Sequence, residues 1–122
     1  MSLTWEQRKQ IGEALGRSVS PEKAWDRTVF ALKQGEAFWN VYPTEEAAWN
    51  AYQPDVLGEV IPWLERNTVT WDCGRHIIGS YGASAILNKE LIVTVGRNDI
   101  FATFSEAVCA LMLAILESGV TA

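Results

Sequence analysis

The segment from Thr103 to Leu116 constrains this chain most. Thr103-Phe104-Ser105-Glu106 is a capping box, in which the Thr103 hydroxyl can accept from the Glu106 N–H while the Glu106 carboxylate reaches back to the Thr103 N–H. The helix it opens carries Phe104, Ala107, Val108, Leu111, Met112, Ile115 and Leu116 in one stripe. Cys109, Ala110, Leu113 and Ala114 make the remaining face apolar or small as well. A helix apolar nearly all round must be covered on more than one side. Other helices of the same chain are the expected cover, and a second subunit, giving a homodimer, is the alternative. The apolar run is half as long as a bilayer crossing needs, which is about 20 residues, so no membrane span is expected.

What covers that helix must come from a short chain. At 122 residues, with 48% hydrophobic and 20% charged, the sequence is predicted to be folded and to form a single domain over 1–122. From Thr68 the apolar period shortens. Thr68-Val69-Thr70-Trp71 is β-branched and aromatic, and Leu91, Val93 and Val95 alternate with Glu90, Ile92 and Thr94. Ala83–Leu87 and Glu90–Val95 flank Asn88-Lys89, which reads as a hairpin turn, and Gly96-Arg97-Asn98-Asp99 reads as the next turn. The glycine-rich stretch 73–82 leaves room for one more strand. The expectation is an α+β fold, with a three- or four-stranded antiparallel sheet packed with several helices.

Residues 1–40 read as a helical N-terminal region. Thr4 is an N-cap before Trp5–Leu15, with Gly16 as the stop. Ser20-Pro21-Glu22 resembles a second helix start, with proline at the first helical position and an acid near the positive dipole end. Trp25, Val29 and Leu32 then follow at i, i+4 and i+7, which predicts a core-facing stripe closed by Gly35. Thr44 caps a third helix, broken near Gln53-Pro54. Asp55 restarts an irregular one in which Gly58 and Pro62 interrupt the spacing of Val56, Leu57, Val60, Ile61 and Leu64.

Fifteen acidic against ten basic residues give a net charge of -5. The Lys/Arg excess that supplies most affinity for phosphate backbones is missing, so direct nucleic-acid binding is not expected. The amino terminus shows no basic run followed by an apolar stretch, which makes the cytoplasm the expected compartment. Cys73 and Cys109 read as reduced thiols.

The densest chemical cluster is Asp72-Cys73-Gly74-Arg75-His76. A Cys–His nucleophile pair would need the imidazole to face the thiol, and sequence neighbours on a strand do not face one another by default. No oxyanion-stabilising motif accompanies the pair, so no catalytic residues are assigned and the chain is expected not to be an enzyme. Structural zinc wants four Cys/His ligands and the chain offers three such residues, so no metal site is assigned. The adjacent acids Glu45 and Glu46 point about 100 degrees apart on a helix and are explained by its dipole. The glycines match no dinucleotide or phosphate-loop pattern, and no cofactor is expected.

Six tryptophans remain: Trp5, Trp25, Trp39, Trp49, Trp63 and Trp71. Trp25 and Trp49 share helix faces with aliphatics and read as core. Phe38, Trp39 and Tyr42 fall in a connection between elements, where an interaction surface and a packed staple are equally compatible with the sequence. Together with Arg75, His76 and Arg97 they are the candidate binding residues.

Tyr42-Pro43-Thr44-Glu45-Glu46-Ala47-Ala48-Trp49 and Phe101-Ala102-Thr103-Phe104-Ser105-Glu106-Ala107-Val108-Cys109-Ala110-Leu111 resemble the capped Ala-Ala-Trp helix and the closing helix of the phage ABA-sandwich family. The resemblance spans roughly residues 42–118. It implies a compact antiparallel sheet with helices against it, encoded by a phage or prophage, with no catalytic motif to carry over. The expected function is that of a small acidic accessory protein, acting in the host cytoplasm, that binds and inhibits a host component such as a defence protein. The acidity favours a basic partner, including a nucleic-acid-binding protein. The alternative is a binder that sequesters a nucleotide-like signal, with aromatics stacking on the base and Arg75 or Arg97 meeting phosphate. A Cys73/His76 enzyme is the third reading.

Overall fold

The computed structural model describes residues 3–33, 39–77, 80–87, 92–96, 101 and 103–118, with the backbone alone at Trp39, His76 and Ile77. Among these residues the fold is α+β, with four α-helices and two three-stranded antiparallel sheets. The chain divides into two compact units, Leu3–Pro54 and the part that begins at Asp55.

The first unit opens with α1 (Trp5–Ala14), where Thr4 and Gln7 form a reciprocal capping box. The Gln7 N–H donates to Thr4 Oγ1 at 3.2 Å, and the Thr4 N–H donates to Gln7 Oε1 at 2.9 Å. Three strands follow in the order β1-β2-β3: β1 (Ser18–Ala24), β2 (Arg27–Lys33) and β3 (Trp39–Tyr42). Then comes α2 (Glu45–Ala51), capped by Thr44, whose hydroxyl accepts from the Ala47 N–H at 3.0 Å. As expected, that helix stops ahead of Pro54, with Tyr52 already extended.

The helix expected over residues 20–35 is instead the β1–β2 hairpin. Its register pairs Val19 with Leu32, Pro21 with Phe30 and Ala24 with Arg27. Val19, Phe30, Leu32 and Tyr42 fall on one face of this sheet; Leu32 joins Ala48 and Trp49 of α2 and Tyr52 just after it in a buried cluster, and the other three pack against that cluster. Spacings of three and four residues suit a helix, but pairing with β3 sets the segment as a strand in which Leu32 alone of the three stripe residues is buried, and tertiary pairing overrides the local signal. Pro21 sits in β1, an edge strand, where a proline is tolerated because one side of the strand has no ladder to complete.

Trp49 is the centre of this core. It is 1% exposed and meets Tyr52 edge-on, with ring centroids 5.7 Å apart and planes inclined by 70°. Its ring lies so close to α1 that a Cβ on Gly12 would come within 2.4 Å of it. The Arg8 guanidinium on α1 donates to the Tyr52 carbonyl, and Lys9 pairs with Glu45 at 2.7 Å, so polar contacts also join α1 to the α2 segment.

The second unit starts with Asp55, whose carboxylate accepts from the Gly58 N–H at 3.0 Å. The expected irregularity is a π-helical turn, Val56–Val60, leading into α3 (Ile61–Asn67) with Pro62 in its first turn. The sheet runs β4-β5-β6, from β4 (Thr70–Ile77), β5 (Ser80–Ile86) and β6 (Ile92–Val95). The extra strand allowed by the sequence is part of β4 and β5. The turn expected at Asn88-Lys89 lies outside the described residues, but the antiparallel pairing it implies is present, with Ile86 opposite Ile92.

α4 (Phe104–Ser118) lies against all three of these strands and against the π-helical turn. Ala107, Val108, Cys109, Leu111, Met112, Leu113 and Ile115 are buried along it. Its cover is thus a sheet and a turn of the same unit, where helices were expected. The Glu106 N–H donates to Thr103 Oγ1 at 3.1 Å, the first of the two bonds of the expected capping box. Phe104, read as part of the apolar stripe, is 37% exposed at the helix start.

Candidate binding surfaces

Trp25 occupies the turn of the β1–β2 hairpin. Ala24 pairs with Arg27, so the loop is two residues, Trp25-Asp26, and Trp25 takes φ +58. The right-handed twist of paired strands favours turns with a positive φ at the first central position, where glycine is usual. No other described non-glycine residue has positive φ. A bulky side chain there costs about 1–2 kcal/mol of backbone strain. The side chain is fully solvent-exposed, at 102%, so no packing offsets that cost. The sequence reading of Trp25 as a core residue is therefore overturned: the turn replaces the helix on whose inner face it was placed.

The expected binding residues are distributed between the units. Tyr42, at the end of β3, is half-buried and packs against the Trp49 cluster, so its ring serves the core. It also edges an open hollow of about 650 Å³ lined by Arg27, Thr28, Val29, Val41, Tyr42 and Pro43. Trp39 lies opposite Lys33 in the β2–β3 register. Phe38 and Arg97 fall outside the described residues. In the second unit, Arg75 is exposed on β4 opposite Tyr81, and the His76 backbone sits at a register irregularity between Arg75 and Ile77. Arg75 and His76 thus share one strand end, while Trp39 and Tyr42 belong to the other unit.

Cys73 is half-buried on β4 and carries a free thiol. Burial pushes its pKa up, and the neighbouring Asp72 charge adds to that. An activated nucleophile requires the opposite shift. Cys109 is buried in α4 and is not part of a disulfide. Among the described residues no group of three or more His, Cys, Asp or Glu side chains is placed to hold a metal ion. No described helix is long and apolar enough to cross a membrane.

One better-formed depression lies on the β4-β5-β6 sheet. It has a volume of about 170 Å³ and is lined by Asp72, Gly74, Gly82, Ala83, Ser84, Thr94 and Val95. Sites for drug-sized ligands run to roughly 300–1,000 Å³, which makes this one too small for a nucleotide. The wider hollow beside the hairpin turn, about 780 Å³, is lined by only Ala24, Trp25, Asp26 and Arg27, and so cannot enclose a small molecule. Sequence reasoning missed both Trp25 and this depression. Comparison with protein-family models, with curated proteins and with solved structures finds no match to this chain.

Proposed function

We propose that this chain is a small acidic accessory protein, phage-encoded as its resemblance to the phage ABA-sandwich family implies, that binds and inhibits a basic host protein in the host cytoplasm. It acts by occupying a surface of that protein and performs no catalysis. The observation that carries this reading is Trp25, displayed in water at the end of a hairpin on a backbone conformation that disfavours it. Tryptophan is prominent among the residues that dominate binding energy at protein interfaces. Burying 150–250 Å² of such a side chain in a partner's pocket releases roughly 4–6 kcal/mol before the costs of association. The net charge of -5 adds long-range attraction to a basic surface and repels nucleic acid itself.

Site-specific photo-crosslinking tests the proposal. With p-benzoylphenylalanine in place of Trp25, irradiation in a bacterial lysate is expected to give a discrete adduct with a basic protein, suppressed by excess unmodified chain. The same probe at the exposed Asn50 is the control. Adducts at position 25 that match the control in pattern and yield would overturn the reading.

A further inference from the structure

We infer that the solvent-facing side of the β4-β5-β6 sheet is a receptor for one arginine side chain presented by a protein partner. The register builds it. Asp72 lies opposite Ser84, and Ser84 opposite Thr94, which sets a carboxylate and two hydroxyls in one row across the three strands. Directly opposed residues project from the same face of a sheet. Two residues along, about 7 Å by strand geometry, Gly74 lies opposite Gly82, and the depression of about 170 Å³ opens over this glycine pair and the polar row.

The glycines separate on physical grounds. Gly96 has φ +89, and a Cβ there would come within 2.7 Å of the Gly82 Cα, so these two are explained by the close passage of one backbone over the other. Gly74 has no such reason. A Cβ added to it meets nothing within 4 Å, and no positive φ demands glycine. An interior strand glycine weakens a sheet and marks a bulge or a site of close approach to the backbone; the register irregularity of β4 lies beyond Gly74, between Arg75 and Ile77, and Gly74 itself pairs in register with Gly82, which leaves the approach of a ligand.

The lining selects the occupant. A cavity of 150 Å³ holds a benzene-sized group, so this depression takes one planar head group and little more. Among the described residues the lining side chains include a carboxylate and hydroxyls and no cation, which calls for a donor of positive charge. A guanidinium satisfies this: it is flat enough to lie on the glycine floor, and its fork of N–H donors can meet Asp72 and the hydroxyls together. A lysine ammonium offers neither the plane nor the fork. The source of the arginine rests on the protein-binding reading above, and a basic partner supplies it.

The test uses the full chain and a small probe, so it is independent of Trp25 and of any partner. Nα-acetyl-arginine methylamide, titrated while backbone amides are followed by NMR, is expected to give saturable shifts at Gly74, Gly82, Ser84 and Thr94, with a Kd on the order of 10 mM. The neutral citrulline analogue should not saturate. Asp72→Asn should weaken the arginine probe at least about tenfold, the loss of a charge-assisted bond. Gly74→Val places its side chain where an added Cβ meets nothing within 4 Å, and should abolish the shifts while amide signals elsewhere keep their positions. Trp25→Gly should leave the titration unchanged. Absence of saturation in the parent chain, equal response to citrulline, tighter binding of the lysine analogue, or an unaltered Kd in Asp72→Asn would each overturn the assignment. A failed crosslink at position 25 would overturn the protein partner as the source of the arginine and leave the arginine site itself standing.

Discussion

The two three-stranded sheets solve the same burial problem with different materials. In the first, α2 is seven residues long and a single aromatic pair, Trp49 and Tyr52, supplies much of the buried volume against β2. In the second, the fifteen-residue α4 spreads burial over many aliphatic side chains of similar size. A core that depends on one large ring is vulnerable at that ring and at whatever must make room for it. A core of many medium-sized side chains loses less at any one of them.

Breaking the first core should therefore give the largest effect. Trp49→Ala is expected to destabilise by about 3–5 kcal/mol, read from the denaturation midpoint together with loss of amide protection in β2. Leu111→Ala, which removes one fully buried side chain from the middle of α4, is expected to cost less, within about 2–4 kcal/mol, with its signature in the amides of α4. If Leu111→Ala proved the more damaging, the contrast between a ring-centred and a distributed core would fail.

Trp25→Gly sharpens the comparison from the other direction. Relief of about 1–2 kcal/mol of left-handed strain, less about 0.5–1 kcal/mol for the glycine's freedom in the unfolded chain, leaves a net gain of about 0–1.5 kcal/mol, centred on about 0.75. The melting temperature should rise by a few degrees, while the Trp25→Gly chain added in excess should no longer suppress the adduct formed by the position-25 probe. A fall in melting temperature would mean that the turn gains from its tryptophan.

The smallest expected effect is electrostatic. Lys9 has its pKa raised, chiefly by its hydrogen bond to Glu45, with burial opposing the shift. A lysine whose folded pKa lies above its unfolded value stabilises the fold fully below that unfolded value, near 10.4, and the contribution is lost as pH rises through the folded one. Both side chains are more than a third exposed, so solvent screening holds the pair to about 0.2–0.5 kcal/mol. The stability difference between the parent and Lys9→Met should shrink above about pH 10.5; a difference constant across that range would assign it to packing of the lysine stem.

Helix starts were legible in the sequence because a cap is a local bargain between one side chain and an N–H two or three residues on. Thr4, Thr44, Asp55 and Thr103 all accept such bonds. The β1–β2 hairpin was not legible, because Ser20-Pro21-Glu22 imitates a cap and Trp25, Val29 and Leu32 imitate a helical stripe. The decisive partner, β3, lies farther along the chain. The tip escaped for a related reason: a two-residue turn is usually announced by glycine or asparagine, and here tryptophan holds the place. The polar row on the second sheet is a product of cross-strand register, which no local window contains. Asp72 was noticed for its neighbours Cys73 and His76, whereas its structural companions are Ser84 and Thr94.

Pro21 bears on how such a molecule behaves in a crowd. An unprotected edge strand is a template on which further chains can add, and apolar residues nearby make that growth more favourable. Proline is one of the standard interruptions of an edge, and β1 carries it four residues before the exposed tryptophan. The hairpin can hold an adhesive group in water while the strand behind it resists stacking copy upon copy into a fibre.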